Sequence, residues 1–277
     1  MSIGQNKRTE LSLHVVLICF SILTLVPVLW VLKTALTASR NLSVSLNPLP
    51  DRFELDNFKD LFDSDLFWTQ LGNSVVISVC TTLVGIFFAC TAAYAFSRFK
   101  FPGRRLGLMG FLVTQMFPGT MMMIPLYQVL EWLSLLDASI GLILVYSTTS
   151  IPFCVWMLKG YFDTIPAEIE ESAVMDGASQ FTIFWRIIMP LSRPAIAVTA
   201  LFSFMTAWNE FILAATFMSD EASYTLPVRL QQYVTKYNTD WGHFAAGAVV
   251  VSIPVMLLFF VLQKHLVGGL TAGGVKG

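Results

Sequence analysis

The chain has 277 residues, of which 55% are hydrophobic and 13% are charged, and its formal net charge is −1. A soluble domain carries about a quarter charged residues, so the composition excludes an ordinary soluble protein. A lipid environment accounts for the deficit of charge, and we therefore expect an integral membrane protein.

Six apolar segments are long enough to cross a bilayer, whose core takes roughly 20 residues of α-helix. We predict spans at 11–32, 71–96, 106–129, 140–158, 194–217 and 243–263. The first follows Lys7 and Arg8 as a signal peptide would, but it is long for one and no convincing cleavage site follows, so we expect it to be retained. The prediction is one all-α transmembrane domain over residues 1–277.

Basic residues set the expected orientation. Arg98, Lys100, Arg104 and Arg105 cluster between the second and third spans. Short basic loops stay in the cytoplasm, which places both termini and the loop 161–193 on that side.

The loop 33–70, expected outside, carries apolar residues spaced for a short amphipathic helix: Phe53, Leu55, Phe58, Leu61 and Phe62. It is assigned no chemistry.

The third predicted span is broken at Pro118-Gly119 and again at Pro125. Proline frees backbone carbonyls that lipid cannot satisfy, so a broken span faces protein or a water-filled path. A kink that only improves helix packing is an equal alternative. Gln115 and Pro118 are candidates for residues that line the pathway.

Glu210, next to Asn209, is the one acid deep inside a predicted span. A carboxylate within a membrane is costly and indicates function by default. A hydrogen bond to a neighbouring helix is the alternative. Because the spans contain no partner cation for it, we favour lining of the pathway or a structural role over ion coupling.

The loop 161–193 is unusually charged for a connection between spans, and we predict a helix-turn-helix there. Asp163 or Thr164 is expected to cap the first helix, with Pro166 in its first turn. Ile165, Ile169 and Ala173 would form one apolar stripe on it.

Gly177 is expected to adopt the left-handed conformation that ends a helix. A second short helix should run from Ser179 to Pro190. Such a pair suits docking into a cleft on a moving partner, although packing on the protein's own bundle is also possible.

No metal site or catalytic group is predicted. Cys19, Cys80, Cys90 and Cys154 lie in apolar spans without CxxC spacing, and the three His are scattered. The tail 264–277 resembles a phosphate loop, but Val275 separates the last Gly from Lys276. If ATP is used, another subunit must hydrolyse it.

The spacing Glu171-x-Ala173, three residues, Gly177, nine residues, Ile187-x-x-Pro190 resembles the loop by which ABC importer permeases contact their ATPase. Ser172 and Met189 stand where Ala and Leu are usual. Further segments resemble the second permease subunit of maltose and maltodextrin importers, and the similarity covers about residues 11–277: Tyr94-Ala95-Phe96, Gln115-Met116-Phe117-Pro118, Gln231-Gln232-Tyr233 and 269–277.

The resemblance implies a type I ABC importer permease fold with six transmembrane helices, and a set of contacts for its residues. Contact with the ATPase would fall to the coupling helix, at Glu170, Glu171, Ser172, Ala173, Asp176, Gly177 and Ala178. The tail would reach the ATPase dimer interface through Leu270, Thr271, Gly274 and Lys276. An outer loop would enter the sugar cleft of the binding protein at Tyr233, Val234, Thr235, Lys236 and Tyr237.

The implied partners are a second permease, an ATPase dimer that binds ATP and Mg, an extracellular sugar-binding protein and membrane lipid, with no nucleic acid. In this family the sugar contacts within the membrane belong mainly to the other permease, which leaves Glu210 open. A permease for trehalose, a raffinose-type sugar or a glycerol phosphate is an alternative. An ion-coupled secondary transporter is an alternative from another class.

Overall fold

The computed structural model describes the backbone of residues 7–37, 47, 50, 52–234 and 239–274, with side chains from 10 to 263 within those ranges. Its α-helices are α1 (Lys7–Ala35), α2 (Asp56–Phe62), α3 (Asp65–Arg98), α4 (Arg104–Met116), α5 (Met123–Trp132), α6 (Ser139–Phe162), α7 (Ala167–Met175), α8 (Gln180–Ile183), α9 (Met189–Leu191), α10 (Arg193–Trp208), α11 (Ile212–Phe217), α12 (Leu226–Gln232) and α13 (Trp241–Gly274).

Four helices in the described part of the chain are long and apolar enough to span a membrane: α1, α3, α6 and α13. The number rises to six if each of two bent pairs is one span. Arg104–Met116 meets Gly119–Trp132 at 96°, and Gln180–Leu191 meets Arg193–Trp208 at 78°. The fifth predicted span, 194–217, corresponds to α10 and α11 with a break between them.

Pro118-Gly119 does break the third predicted span, because α4 ends at Met116 and a 3₁₀ turn occupies Gly119–Met122. The expected second break at Pro125 is wrong. Pro125 is the third residue of α5, where a backbone N–H has no partner within the helix, so proline fits.

The chain packs as two compact units, of which the first comprises Met1–Phe67 and Arg229–Ile253. The predicted amphipathic helix of the loop 33–70 is present as α2. Asn57 on α2 is buried, and its Nδ2 donates to the carbonyl oxygens of Ala35 and Thr37 at 3.0 Å each. These two bonds hold the end of α1 to α2.

The second unit comprises Trp68–Val228 and Pro254–Gly277. It holds two apolar clusters. One joins Ala93 and Tyr94 of α3, Leu158 and Phe162 of α6, and Ile183 of the loop. The other joins α6, α11 and the end of α10. The loop 161–193 therefore packs on the ends of α3 and α6.

The last helix is longer than the predicted span. It continues from 263 to Gly274, so the backbone at Leu270, Thr271 and Gly274 is helical. Lys276 lies outside the described residues, as do the side chains of the other three.

Candidate docking and coupling site

The first helix of the loop 161–193 is α7, and it begins after Pro166. The expected cap by Asp163 or Thr164 is wrong. Asp163 ends α6, where its carboxylate accepts hydrogen bonds from Ser97 and Lys159. Thr164 Oγ1 donates to the Tyr161 carbonyl. Both side chains are held by the preceding helix. Pro166 is not in the first turn, as predicted, but is the non-helical residue just before α7, with φ −58° and ψ 133°.

Gly177 ends α7 in the predicted left-handed conformation, with φ +83°. The Gly177 N–H donates to the Val174 carbonyl and the Ala178 N–H to the Ala173 carbonyl, both at 2.9 Å. This pair of bonds is the Schellman motif, which satisfies the last carbonyls of a helix. The turn between the two helices is therefore fixed by local backbone bonds.

The predicted second helix is also present. Ser179 caps it, since its Oγ accepts from the Thr182 N–H at 3.2 Å. The helix continues through a π-helical segment, Phe184–Ile188, to Leu191. It then bends at the buried Ser192 into α10.

The apolar stripe predicted on α7 faces its own bundle for the most part. Ile165, which precedes α7, and Ala173 are buried in the cluster with α3 and α6, whereas Ile169 is 40% exposed. A different apolar set is exposed, at Val174 (49%), Met175 (87%) and Phe181 (74%). These three residues surround the Gly177 turn, and we call them the exposed turn face.

The remaining coupling candidates fall on both sides of the loop. Glu171, Ser172 and Asp176 are exposed beside the exposed turn face, and Ala178 is half-buried. Glu170 points inward, with 12% of its side chain exposed. The two adjacent glutamates thus have different surroundings.

Glu170 forms an ion pair with Arg98 at the end of α3, with Arg98 Nε donating to Oε1. The Tyr94 hydroxyl donates to Glu170 Oε2 at 2.9 Å, and Gln180 Oε1 lies 3.2 Å from that hydroxyl. Arg98 Nη2 donates to the Ile165 carbonyl at 3.0 Å. A charge-assisted network therefore ties both helices of the loop to α3. Sequence reasoning missed it, because 72 residues separate Arg98 from Glu170.

A second tie lies beside the first. Ser97 Oγ donates to Asp163 Oδ1 at 2.6 Å, and Lys159 pairs with Oδ2. Burial alone would raise the pKa of Asp163, but the hydrogen bonds from Lys159 and Ser97 outweigh it, and the pKa lies below its usual range.

Glu210 lies in the break between α10 and α11 and caps α11. Its carboxylate accepts from the N–H groups of Leu213 and Ala214 at 3.0–3.1 Å, and from the Tyr146 hydroxyl at 3.0 Å. An acid at a helix N-terminus is stabilised by the helix dipole. The sequence alternative of a carboxylate bonded to a neighbouring helix is the arrangement found, with Tyr146 as the donor. Asn209 is exposed.

Gln115 lines a cavity of about 310 Å³ beside the bend between α4 and α5. Thr148, Thr149 and Leu213 also line it, so α6 and α11 form its other walls. Gln115 Nε2 donates to the Thr149 carbonyl at 3.1 Å. Pro118 is exposed at the bend, but it is not among the lining residues.

Tyr233 and Val234 follow α12, and Val234 forms an antiparallel bridge with Thr239. The Tyr233 ring stacks on His243 with centroids 5.4 Å apart, and the Arg229 guanidinium lies 5.3 Å from its centroid. Tyr233 is thus engaged at the base of its loop. Thr235, Lys236 and Tyr237 lie outside the described residues.

Among the described residues, no group of three or more His, Cys, Asp or Glu side chains is placed to hold a metal ion. The features that stand out are an exposed helical turn tied to a long helix, two bent helix pairs and a cavity at one bend that is lined by polar and apolar side chains. Together they fit a helical membrane permease with an exposed turn on one of its loops.

Comparison with known proteins gives the family. Residues 81–271 match the model for the binding-protein-dependent transport system inner membrane component. The maltodextrin transport system permease protein MalD of Streptococcus pneumoniae is 37% identical over 278 residues, covering 100% of this chain and 99% of that protein. The diacetylchitobiose uptake system permease protein DasC of Streptomyces coelicolor is 36% identical, covering 91% of each.

Among solved structures, a chain of a bacterial ABC transporter that imports the acidic polysaccharide alginate matches with a TM-score of 0.80 at 24% identity. The match covers 95% of this chain and 98% of that chain. This likeness confirms the predicted fold of an ABC importer permease.

The chain belongs to the family of binding-protein-dependent transport system inner membrane components. Family membership confirms the resemblance found in the sequence, and makes the chain a permease subunit rather than an enzyme. It also confirms a multi-pass protein of the inner membrane that works in a transport system with a binding protein.

Proposed function

We propose that this chain is one of two permease subunits of an ATP-driven importer of maltose or maltodextrin-like oligosaccharides in a prokaryotic cell membrane. Its partners would be a second, similar permease, an ATPase dimer that binds ATP and Mg, and an extracellular sugar-binding protein. Both termini and the loop 161–193 would lie in the cytoplasm. The chain itself would bind no cofactor.

The main observation that supports the proposal is the structure of the loop 161–193. The exposed turn face of Val174, Met175 and Phe181 presents apolar surface beside the acids Glu171 and Asp176. Large side chains this exposed at a turn between helices are typical of a docking surface. Seated in the ATPase, the turn would move when ATP closes the ATPase dimer, and the membrane helices would follow it.

The other assignments follow the resemblance. The tail with Leu270, Thr271, Gly274 and Lys276 would reach the ATPase dimer interface. The loop from Tyr233 to Tyr237 would enter the sugar cleft of the binding protein. Because Arg229 and His243 cover the Tyr233 ring, we assign Tyr233 to the support of that loop rather than to sugar contact. Of the pathway candidates, Gln115 is the one that lines a cavity.

The sugar is the most specific part of the proposal. Relatives at 36% and 37% identity are named for two different sugars, diacetylchitobiose and maltodextrin. Sequence identity at this level therefore supports transport of an oligosaccharide more strongly than transport of any one oligosaccharide. Uptake of labelled maltotriose should be competed by maltodextrins. If trehalose, raffinose or a glycerol phosphate competed instead, the proposed substrate would be wrong, but the chain would still be a permease of an ATP-driven importer.

Purification of the tagged chain in mild detergent, with mass spectrometry, tests the assembly. A second permease and an ATPase with a phosphate loop should co-elute. An ion-coupled transporter would elute alone and keep its uptake after ATP depletion. The contacts of Glu210 favour an ATP-driven transporter, because two N–H groups and a hydroxyl of the protein already satisfy the carboxylate without a coupling ion.

A single substitution tests the docking turn. Gly177→Trp should leave the protein inserted in the membrane but abolish sugar uptake, since a bulky residue would occupy the turn. Normal uptake by this variant would contradict the role given to the loop.

A further inference from the structure

The long helix α3 is bonded by side chains at both of its ends to a functional loop. Its 34 residues extend over about 50 Å at a rise of ~1.5 Å per residue. One end holds the loop 161–193. The other end holds the segment that leads to the Tyr233 loop.

At the first end, Tyr94, Ser97 and Arg98 bond to Glu170, Asp163 and the Ile165 carbonyl. At the other end, Gln70 Nε2 donates to the Glu221 carbonyl at 2.8 Å. Asn73 Nδ2 donates to the carbonyls of Ala222 at 2.8 Å and Tyr224 at 3.1 Å.

Ser74 completes this second end, because its Oγ accepts from the Leu226 N–H at 2.6 Å. Leu226 is the first residue of α12, and Tyr233 directly follows the last residue of α12. Gln70, Ser74 and Leu226 are all buried. The bond between Ser74 and Leu226 is therefore buried, where water does not compete for the same donor and acceptor. The bond of Gln70 and the bond of Asn73 to Tyr224 are partly buried, and the bond of Asn73 to Ala222 is exposed.

The helix between the two ends is uninterrupted. Of the four long helices in the described part of the chain, α1, α6 and α13 contain an internal proline, and α3 does not. The other predicted spans are broken by bends. Sharp kinks arise mostly at proline, so α3 is the helix best suited to move as one rigid body.

We propose that α3 acts as a strut that transmits docking of the binding protein to the ATPase-coupling loop, and that Arg98 and Asn73 are positioning residues at its two ends. This inference rests on the proposed function for the two loops that α3 joins. It assigns a role to polar side chains that hold the two loops in place rather than contact the partners themselves. A push on the segment 221–226 would move α3 along its axis, and Arg98 would carry the loop 161–193 with it.

The test uses the complete transporter in proteoliposomes and measures the ATPase rate with and without its binding protein loaded with maltotriose. Asn73→Ala should leave the basal ATPase rate unchanged and reduce the stimulation by at least about fivefold. Arg98→Met should reduce the stimulation by a similar factor. Thr91→Ala is the control on the same helix, since the Thr91 hydroxyl bonds only to its own helix, at Phe87 and Phe88.

The double variant decides between one strut and two local effects. If both residues act through α3, the double variant Asn73→Ala with Arg98→Met should be stimulated as much as the more impaired of the two single variants. Its second substitution has no further effect, because the first has already broken the link. Losses that multiply would overturn the proposal, and so would full stimulation in either single variant. A wild-type complex that is not stimulated would instead contradict the proposed function.

A kink in the middle of α3 provides an independent check. Leu83 is 66% exposed, so Leu83→Pro removes little packing while it interrupts the helix. The assembled Leu83→Pro complex should lose the stimulation with both ends intact, and Leu83→Ala should keep it. Stimulation by a kinked but assembled complex would contradict a rigid strut; should Leu83→Pro not assemble, the double variant alone decides.

Discussion

The hydroxyl of Tyr146 on α6 donates a 3.0 Å hydrogen bond to the carboxylate of Glu210, which also caps α11. Glu210, which lies at the break after α10, thereby joins α6 to the start of α11. An ionisable residue inside a span thus has its partners within the protein, as its cost in lipid requires.

Tyr146→Phe should remove the hydroxyl donor from Glu210 and lower the free energy of unfolding by about 1 kcal/mol. Thermal unfolding of the purified complex in detergent measures the change. Tyr127→Phe is the matched control, because Tyr127 is exposed and its ring contacts Phe217. A melting temperature equal to that of Tyr127→Phe would show that the bond to Glu210 does not stabilise the fold.

Gly177→Ala should destabilise the turn of the loop 161–193 without a steric clash. No atom lies within 4 Å of a Cβ built at this glycine, but its φ of +83° strains any L-residue, at a cost of about 1–2 kcal/mol. We expect reduced uptake with normal insertion. Gly177→Asn should retain more uptake than Gly177→Ala, because Asn tolerates this conformation better.

Gly160→Ala is the control for Gly177→Ala. It lies in α6, has open space around its Cβ and no positive φ. Equal uptake by the two alanine variants would contradict a role for backbone conformation at Gly177.

Asp163→Asn should lower stability at neutral pH and have little effect in acid. The folded state holds the pKa of Asp163 below its ordinary value of 3.8. The ionised carboxylate therefore stabilises the fold above about pH 4 and loses that contribution as the pH falls through the lowered pKa. Unfolding of both proteins across this range should give a difference that closes in acid. A difference that is independent of pH would exclude the ionised bonds to Lys159 and Ser97 as its source.

Asn57→Ala should loosen α2 from the end of α1. It would leave the carbonyls of Ala35 and Thr37 without the donor that each now has from Asn57, with an expected loss of about 1–3 kcal/mol. Asn209→Ala, at an exposed amide, is the control. Equal melting temperatures for the two variants would contradict a structural role for Asn57.

The helical architecture could be predicted from the sequence, because lipid requires long apolar segments and α3, α6 and α13 satisfy that requirement by themselves. The Pro118-Gly119 pair correctly predicted the bend after α4. Pro125 led to a wrong prediction of a second break, because a proline in the first turn of a helix does not interrupt the helix. Glu210 had a local signal that was missed: an acid that precedes a short helix is a natural cap for it.

The loop 161–193 was predictable where its bonds are local, as at Gly177 and Ser179. Its orientation was not. The periodicity of Ile165, Ile169 and Ala173 identifies an apolar stripe but cannot tell whether a partner or the protein's own bundle covers it. The ion pair of Glu170 with Arg98 joins distant parts of the chain, and two opposite charges among many give no sequence signal.

The ion pair of Glu170 with Arg98 also determines which segments must be exchanged together in a chimera of two permeases. If the loop 161–193 were transplanted alone into a permease without an arginine at the end of α3, Glu170, whose side chain is only 12% exposed, would lose its counter-charge. Tyr94 and Arg98 belong to the same unit although they are encoded far upstream. A functional chimera must therefore carry two separate stretches of sequence, the end of α3 and the loop 161–193, and the compatibility of a donor can be judged from those few positions before any gene is assembled.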